Sequence, residues 1–132
     1  DKTGPYPGII ELLRELKKHN IKMGIATNKV KSAADKLNEI YFEGLIDEVA
    51  GVEDGIIPKP DRCMIDNLMK RLNATTDETL YVGDSQVDVA TARNTGLDMV
   101  AVLWGFRTRK ELEESGAMVF IDDPMEILDK VL

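Results

Sequence analysis

Asp84 and Asp88 are the residues of this sequence best placed to do chemistry. They stand in Thr79-Leu-Tyr-Val-Gly-Asp-Ser-Gln-Val-Asp88, where a short apolar run rich in β-formers ends at Gly83. Beyond the turn, Val87, Ala90 and Thr91 share a helical face until Gly96 stops the helix. Asp84, Ser85 and Asp88 are therefore expected at the carboxyl end of a strand, the edge at which open α/β sheets bind ligands. Two carboxylates four residues apart on a tight turn suit a hard divalent cation such as Mg²⁺, which takes oxygen ligands and keeps waters for a phosphate. The same residues also fit a plainer role, with Asp84 or Ser85 capping the helix and Asp88 an acid favoured by its dipole.

Two further polar sites fall at comparable places. Lys22-Met-Gly-Ile-Ala26 reads as a short strand, and Thr27-Asn28-Lys29 follows at its carboxyl end. Lys59 lies in a polar loop, Gly51 to Pro60, between Pro58 and Pro60, which restrict its backbone to extended geometry. If the fold gathers these sites along one edge, that edge offers a hydroxyl, an ammonium and two carboxylates. Such a set suits a phosphoryl group beside Mg²⁺: Thr27 and nearby amides bond its oxygens, Lys59 sets a point charge against the dianion, and Asp84 holds the metal.

Composition narrows the field. The chain has 132 residues, enough for one domain with its own core. Seventeen basic against 24 acidic residues give a net charge of −7, which argues against nucleic acid or an anionic membrane as partner. No apolar run approaches the roughly 20 residues that span a bilayer. The single cysteine, Cys63, excludes an internal disulfide and fits the reducing cytoplasm. Its position suggests helix packing, and His19 is expected as a solvated partner of a helix C-terminus. The chain begins with Asp1 rather than Met and enters structure almost at once, so it reads as a piece of something longer.

The positioning elements follow from periodicity. Gly4 to Gly8 is a rigid turn, and Ile9 to Lys18 carries Ile9, Ile10, Leu12, Leu13 and Leu16 at helical spacing. A second helix is expected over Val30–Ile40 with Ala33, Ala34, Leu37 and Ile40 on one face. A turn from Phe42 to Ile46 then leads to a brief edge strand over Asp47–Ala50. A third helix runs from Asp61, a plausible N-cap, to Leu72. After the Asp84 turn come a strand over Asp98–Leu103, the loop Trp104-Gly-Phe106, a helix over Arg107–Ser115, a strand over Ala117–Ile121 and a closing helix over Asp123–Leu132. The alternation predicts an α/β fold, a parallel sheet with helices on both faces. Trp104 and Phe106 stand near the expected site, although an aromatic there is more often a lid on the core. Arg107 and Arg109 read as solvated charges.

Ile25-Ala-Thr-Asn28, the lysine of Pro58-Lys-Pro60, and Gly83-Asp-Ser-Gln-Val-Asp88 resemble, in order and spacing, the later three motifs of haloacid dehalogenase (HAD)-like phosphatases. Pro5-Tyr-Pro-Gly8 and Val102-Leu-Trp-Gly105 are most similar to the phosphoglycolate phosphatase branch. The resemblance implies a three-layer Rossmann-like core and Mg²⁺-dependent phosphomonoester hydrolysis through a phosphoaspartate, with 2-phosphoglycolate or another small phosphate ester as substrate. It assigns Thr27 and Asn28 to phosphate binding, and Lys59 to orienting nucleophile and phosphate. Asp84 becomes a metal ligand, and Asp88 a second acid that ligates the metal or holds its waters.

One departure is serious. The family opens with a strand ending in D-x-D-G-T, which carries the nucleophile and the general acid, and nothing like it precedes Thr27. Without that aspartate, covalent transfer has no acceptor. The expectation is a partial core domain over residues 1–132 from a longer phosphatase, inactive alone, lacking the first central strand and the cap. That strand would lie between those of Leu80–Val82 and Lys22–Ala26. A chain folding alone should close the gap by pairing those two strands directly, or with a strand from a second copy. Two rivals remain: an inactive binding or assembly module of the same fold, and a receiver-like phospho-switch. The switch is disfavoured because its phosphorylated Asp would precede the Thr, with Lys last.

Overall fold

The computed structural model describes residues 6–132, so Gly4 and Pro5 of the expected opening turn lie outside the described residues. Helix α1 spans Ile9–Lys18 and buries Leu12, Leu13 and Leu16, the stripe its spacing predicts. Strand β1 (Gly24–Val30) leads to α2 (Lys31–Tyr41), then to β2 (Glu48–Val52) and α3 (Cys63–Leu72). Strand β3 (Leu80–Gly83), α4 (Gln86–Thr95), β4 (Asp98–Val102), α5 (Arg109–Glu114), β5 (Phe120–Ile121) and α6 (Glu126–Val131) complete the order. No described helix is long and apolar enough to cross a membrane.

All strand pairs are parallel, but they form two sheets: β1–β2, and β3–β4–β5. The direct pairing of β1 with β3 expected for a chain folding alone therefore does not form. Among the described residues no strand lies between them. The helices explain why the break stays open. On one face Leu12, Leu13 and Leu16 of α1 share a core with Met23, Val100, Val102, Ile121 and Ile127. On the other, Ile65 of α3 packs with Tyr81, Ala92 and Leu97, and Ala26 of β1 joins them. Helices packed across the break set the spacing of the half-sheets before their edges can meet. Exposure tells the same story. No residue of β1 is buried and Val82 of β3 is 41% exposed, whereas Val49, Ala50 and Gly51 of the outer strand β2 are buried.

Departures from the periodicity are local. Strand β1 starts two residues late and runs on to Val30, and β5 shrinks to Phe120–Ile121, leaving Met118 88% exposed. Of the face expected on α2, Ala34 is buried, but Ile40 is 66% exposed. Helix α5 begins only at Arg109, because Thr108 is its N-cap and forms a capping box with Glu111 in its first turn. Cys63 is not a core residue. It opens α3 half-exposed, and its sulfur accepts the Ile57 N–H at 3.4 Å. Asp61 accepts the Cys63 N–H at 2.9 Å, and His19 is the exposed C-cap of α1.

Candidate active site

Strand β1 carries the first part of the site in a bulge. Its register with β2 runs Gly24, Ile25, Ala26 opposite Glu48, Val49, Ala50, then resumes at Val30 opposite Val52. Thr27, Asn28 and Lys29 are thus thrown out of the ladder at the carboxyl end of the strand, the usual effect of a bulge being to re-aim side chains. Gly51 permits it. A Cβ there would sit 2.9 Å from the Lys29 carbonyl and 2.8 Å from the Lys31 Cα. The Thr27 hydroxyl accepts the Lys29 N–H at 3.2 Å, which fixes the turn. Both ends of the Asn28 amide are engaged by the Lys59 backbone, Oδ1 accepting its N–H and Nδ2 donating to its carbonyl, each at 2.9 Å.

Lys59 reaches across the break in the sheet. Its ammonium donates to the Ala26 carbonyl at 3.0 Å, to the Tyr81 hydroxyl at 3.2 Å and to Asp88 Oδ1 at 2.9 Å. Both side chains of the Lys59–Asp88 pair are 10% exposed. One lysine therefore links the end of β1, the middle of β3 and the first turn of α4.

Asp88 is full. Oδ1 takes the Lys59 ammonium and, at 2.7 Å, the Tyr81 hydroxyl; Oδ2 takes the Asp84 N–H at 3.0 Å and the Ser85 hydroxyl at 3.1 Å. Those four donors occupy the roughly four lone-pair positions of a carboxylate. The metal pair of Asp84 with Asp88 expected from the sequence is thus not what the geometry presents. Asp84 is the carboxylate with capacity to spare, and among the described residues no group of three potential metal ligands assembles. Ser85 is the N-cap, accepting the Asp88 N–H at 3.3 Å, so the plain capping role holds for Ser85 and coexists with the charged network.

Two glycines fit the carboxylates tightly. A Cβ on Gly83 would fall 2.4 Å from the Asp88 Cβ, and one on Gly105 would fall 2.5 Å from Asp84 Oδ2. The loop after β4 therefore lies directly against Asp84. Trp104 in that loop turns toward the core and stacks on Tyr6, ring centroids 5.1 Å apart. Phe106 is 95% exposed. Arg107 donates to Gln86 at 2.7 Å and Arg109 to Glu113 at 3.4 Å, so both arginines face protein acids or amides. Tyr81 and Asn94 escaped the sequence reading, as did the close approach of Gly83 and Gly105, both quoted in its motifs, to the carboxylates. The one available signal was Tyr81, an aromatic hydroxyl in an otherwise apolar strand, which had to find a partner.

The two carboxyls titrate in opposite senses. Burial, and then the neighbouring Asp88 charge, raise Asp84 above the ordinary aspartate value. Burial alone would raise Asp88 too, but Lys59, the Tyr81 hydroxyl and the Asp84 amide outweigh it and hold Asp88 low. Burial and the same Asp88 charge push the Tyr81 hydroxyl up. A depressed carboxyl stabilises the fold above its unfolded value, and that stabilisation is lost as pH falls through the folded one; a raised carboxyl does the reverse. Falling pH is therefore expected first to relieve the strain of ionised Asp84, then, below about pH 4, to remove the contribution of Asp88. Denaturant midpoints measured against pH should show the first effect vanish in Asp84→Asn and the second in Asp88→Asn. Profiles parallel to the parent's would contradict the assignment.

A sequence profile described as haloacid dehalogenase-like hydrolase matches residues 1–102. The chain belongs to the haloacid dehalogenase-like hydrolases. Phosphoglycolate phosphatase of Rhodospirillum rubrum is 36% identical over 121 residues, covering 89% of this chain and 49% of that protein. Pyrophosphatase PpaX of Bacillus mycoides is 30% identical, covering 93% of this chain and 58% of that protein. A crystal structure from Lactobacillus delbrueckii subsp. bulgaricus, provisionally named a phosphoglycolate phosphatase, superposes with a TM-score of 0.93 at 36% identity, covering 98% of this chain and 54% of that one. A hydrolase from Pseudomonas syringae superposes at 0.82 with 30% identity, covering 96% and 59%. This HAD-like chain thus spans about half the length of the curated relatives it matches, and its α/β architecture of parallel strands and helices is that of its HAD-like neighbours.

Proposed function

We propose that this chain forms the phosphate-gripping part of a Mg²⁺-dependent phosphomonoesterase that acts on a small phosphate ester such as 2-phosphoglycolate, through a phosphoaspartate on a strand seated between β1 and β3. One observation carries the reading: Lys59 bonds the Ala26 carbonyl, next to Thr27, and Asp88, which also takes the Asp84 N–H, and this network borders an opening in the sheet whose two flanking strands have no partner on that side.

The residues fit their proposed tasks. In this reading the Thr27 hydroxyl, which accepts the Lys29 N–H and keeps its own proton to donate, would bond a phosphoryl oxygen. The Lys59 ammonium, held by Asp88, sets a positive charge beside the attacked phosphorus and offsets charge on the equatorial oxygens as the ester bond breaks. Asp88 and Tyr81 keep that ammonium oriented. For Mg²⁺ the donor set is adequate in part. The half-buried Asp84 carboxylate, pushed up by burial and by Asp88, gains from a cation beside it, and Mg²⁺ is commonly held by one or two carboxylates with waters and phosphate. When bound, the ion would neutralise developing phosphate charge. Phosphoglycolate is the substrate in the names of several relatives and is proposed here on that likeness.

This chain contains no D-x-D string before Thr27, so alone it supplies no acceptor for the phosphoryl group and would act as an anion-binding module. Hydrolysis of a phosphomonoester with Mg²⁺, measured for this chain alone and joined to a segment bearing the D-x-D-G-T strand, separates the cases. Turnover is expected in the joined protein and not in this chain. Turnover by the chain alone, or none when the strand is joined and shown to be folded into the opening, would overturn the reading.

A further inference from the structure

Lys59 is the cation that bonds Ala26, Tyr81 and Asp88 across the break, yet it sits on an irregular loop outside every helix and strand. Flanked by Pro58 and Pro60, which have no backbone N–H, it holds the one N–H donor of that tripeptide, and Asn28 takes it. The Asn28 Nδ2 closes the pair on the Lys59 carbonyl, so that one side chain answers both backbone groups as a neighbouring strand would. The assignment of its oxygen and nitrogen follows from the partners, since an N–H needs an acceptor and a carbonyl a donor. On the next residue Asn94, from α4, donates to the Pro60 carbonyl at 2.8 Å.

We propose that Asn28 and Asn94 are positioning residues which clamp the Lys59–Pro60 segment from two sides, so that the flexible lysine stem starts from a fixed root and its ammonium, bonded to Asp88, holds its charge in place beside the phosphate. This rests on the phosphatase reading above. It replaces a direct side-chain contact between Asn28 and phosphate, because both ends of the amide are already spent. A lysine stem has many rotamers, and a displacement of about 1 Å at a reacting group can cost about 10²-fold in rate. Only an uncharged amide serves at position 28, since a carboxylate would keep the Lys59 N–H but oppose its carbonyl.

Two measurements test the clamp. In the enzyme joined to its nucleophile strand, Asn28→Ala is expected to lower kcat by about 10- to 100-fold with little change in KM, and Asn94→Ala to do the same more weakly. In a Lys59→Ala background neither substitution should cost much more, as residues acting through one group are non-additive. Independent, multiplying losses, or a rise in KM with kcat intact, would overturn the proposal by making Asn28 a substrate contact. In this chain, hydrogen exchange at the Lys59 amide should quicken about 10-fold in Asn28→Ala, the scale of one lost hydrogen bond, and be partly restored in Asn28→Asp. Unchanged exchange overturns the clamp whatever the kinetics. A Lys59→Ala enzyme with parental turnover would instead overturn the phosphatase reading, leaving exchange to decide the clamp.

Discussion

Asp88→Ala is expected to destabilise the fold by about 3–5 kcal/mol, the cost of breaking one side of a buried ion pair. The substitution strands more than one partner. The Lys59 ammonium, the Tyr81 hydroxyl, the Asp84 N–H and the Ser85 hydroxyl all donate to this carboxylate. Lys59 and Asp88 are each only 10% exposed, so water can replace little of what is lost. Lys59→Met combined with Asp88→Leu should recover part of the loss, because removing both charges leaves no unpaired charge while the Tyr81, Asp84 and Ser85 donors stay without their acceptor. Urea unfolding of the three variants checks this. A loss below about 1 kcal/mol in Asp88→Ala, the range of exposed pairs, would mean that the network contributes far less than its geometry implies.

On the proposed reading, in which Asp84 holds Mg²⁺, the largest effect on activity is expected at Asp84, and a smaller one at a residue with no functional group. In the enzyme joined to its nucleophile strand, Asp84→Asn should cut turnover by about 10²–10³, the range for removing one oriented electrostatic group. Gly105→Ala should raise the Mg²⁺ concentration needed for half-maximal rate by about 10- to 100-fold, the usual penalty for disturbing what supports a metal ligand. The added methyl would lie 2.5 Å from Asp84 Oδ2 and 2.7 Å from its Cβ, so the carboxylate or the loop must move. The double variant should be no worse than Asp84→Asn, as Gly105 acts through that residue. Parental Mg²⁺ dependence in Gly105→Ala would contradict the close packing of the loop on the carboxylate.

Much of this was legible in the sequence because its signals are local. The stripe Leu12, Leu13, Leu16 marks α1; Ser85 and Gly96 punctuate α4 at both ends. Thr27, Lys59 and Asp84 could be placed on one rim because parallel strands put all their carboxyl ends on the same side. What stayed hidden depends on distance. The saturation of Asp88 needs Lys59 and Tyr81, 29 and 7 residues away, and no spacing rule tells a metal ligand from a carboxylate spent on four donors. The Asn28 clamp spans 31 residues and Asn94 reaches back 34. The open sheet agrees with a missing central strand, as the absent D-x-D-G-T motif implies; only direct closure by pairing β1 with β3 does not form, because helices packed over both half-sheets already set how near the two strands can come.

The bulge in β1 has one more consequence. The backbone that presents Thr27 and Asn28 keeps its shape because position 51, on a different strand, has no side chain to press on Lys29 and Lys31. On the proposed reading, the shape that would hold an anion is therefore set partly by an absence, at a residue that would never meet the anion. Substituting that glycine would press on Lys29 and Lys31 and force the bulge to move while leaving every polar group intact, a lesion invisible to any inspection confined to reactive side chains.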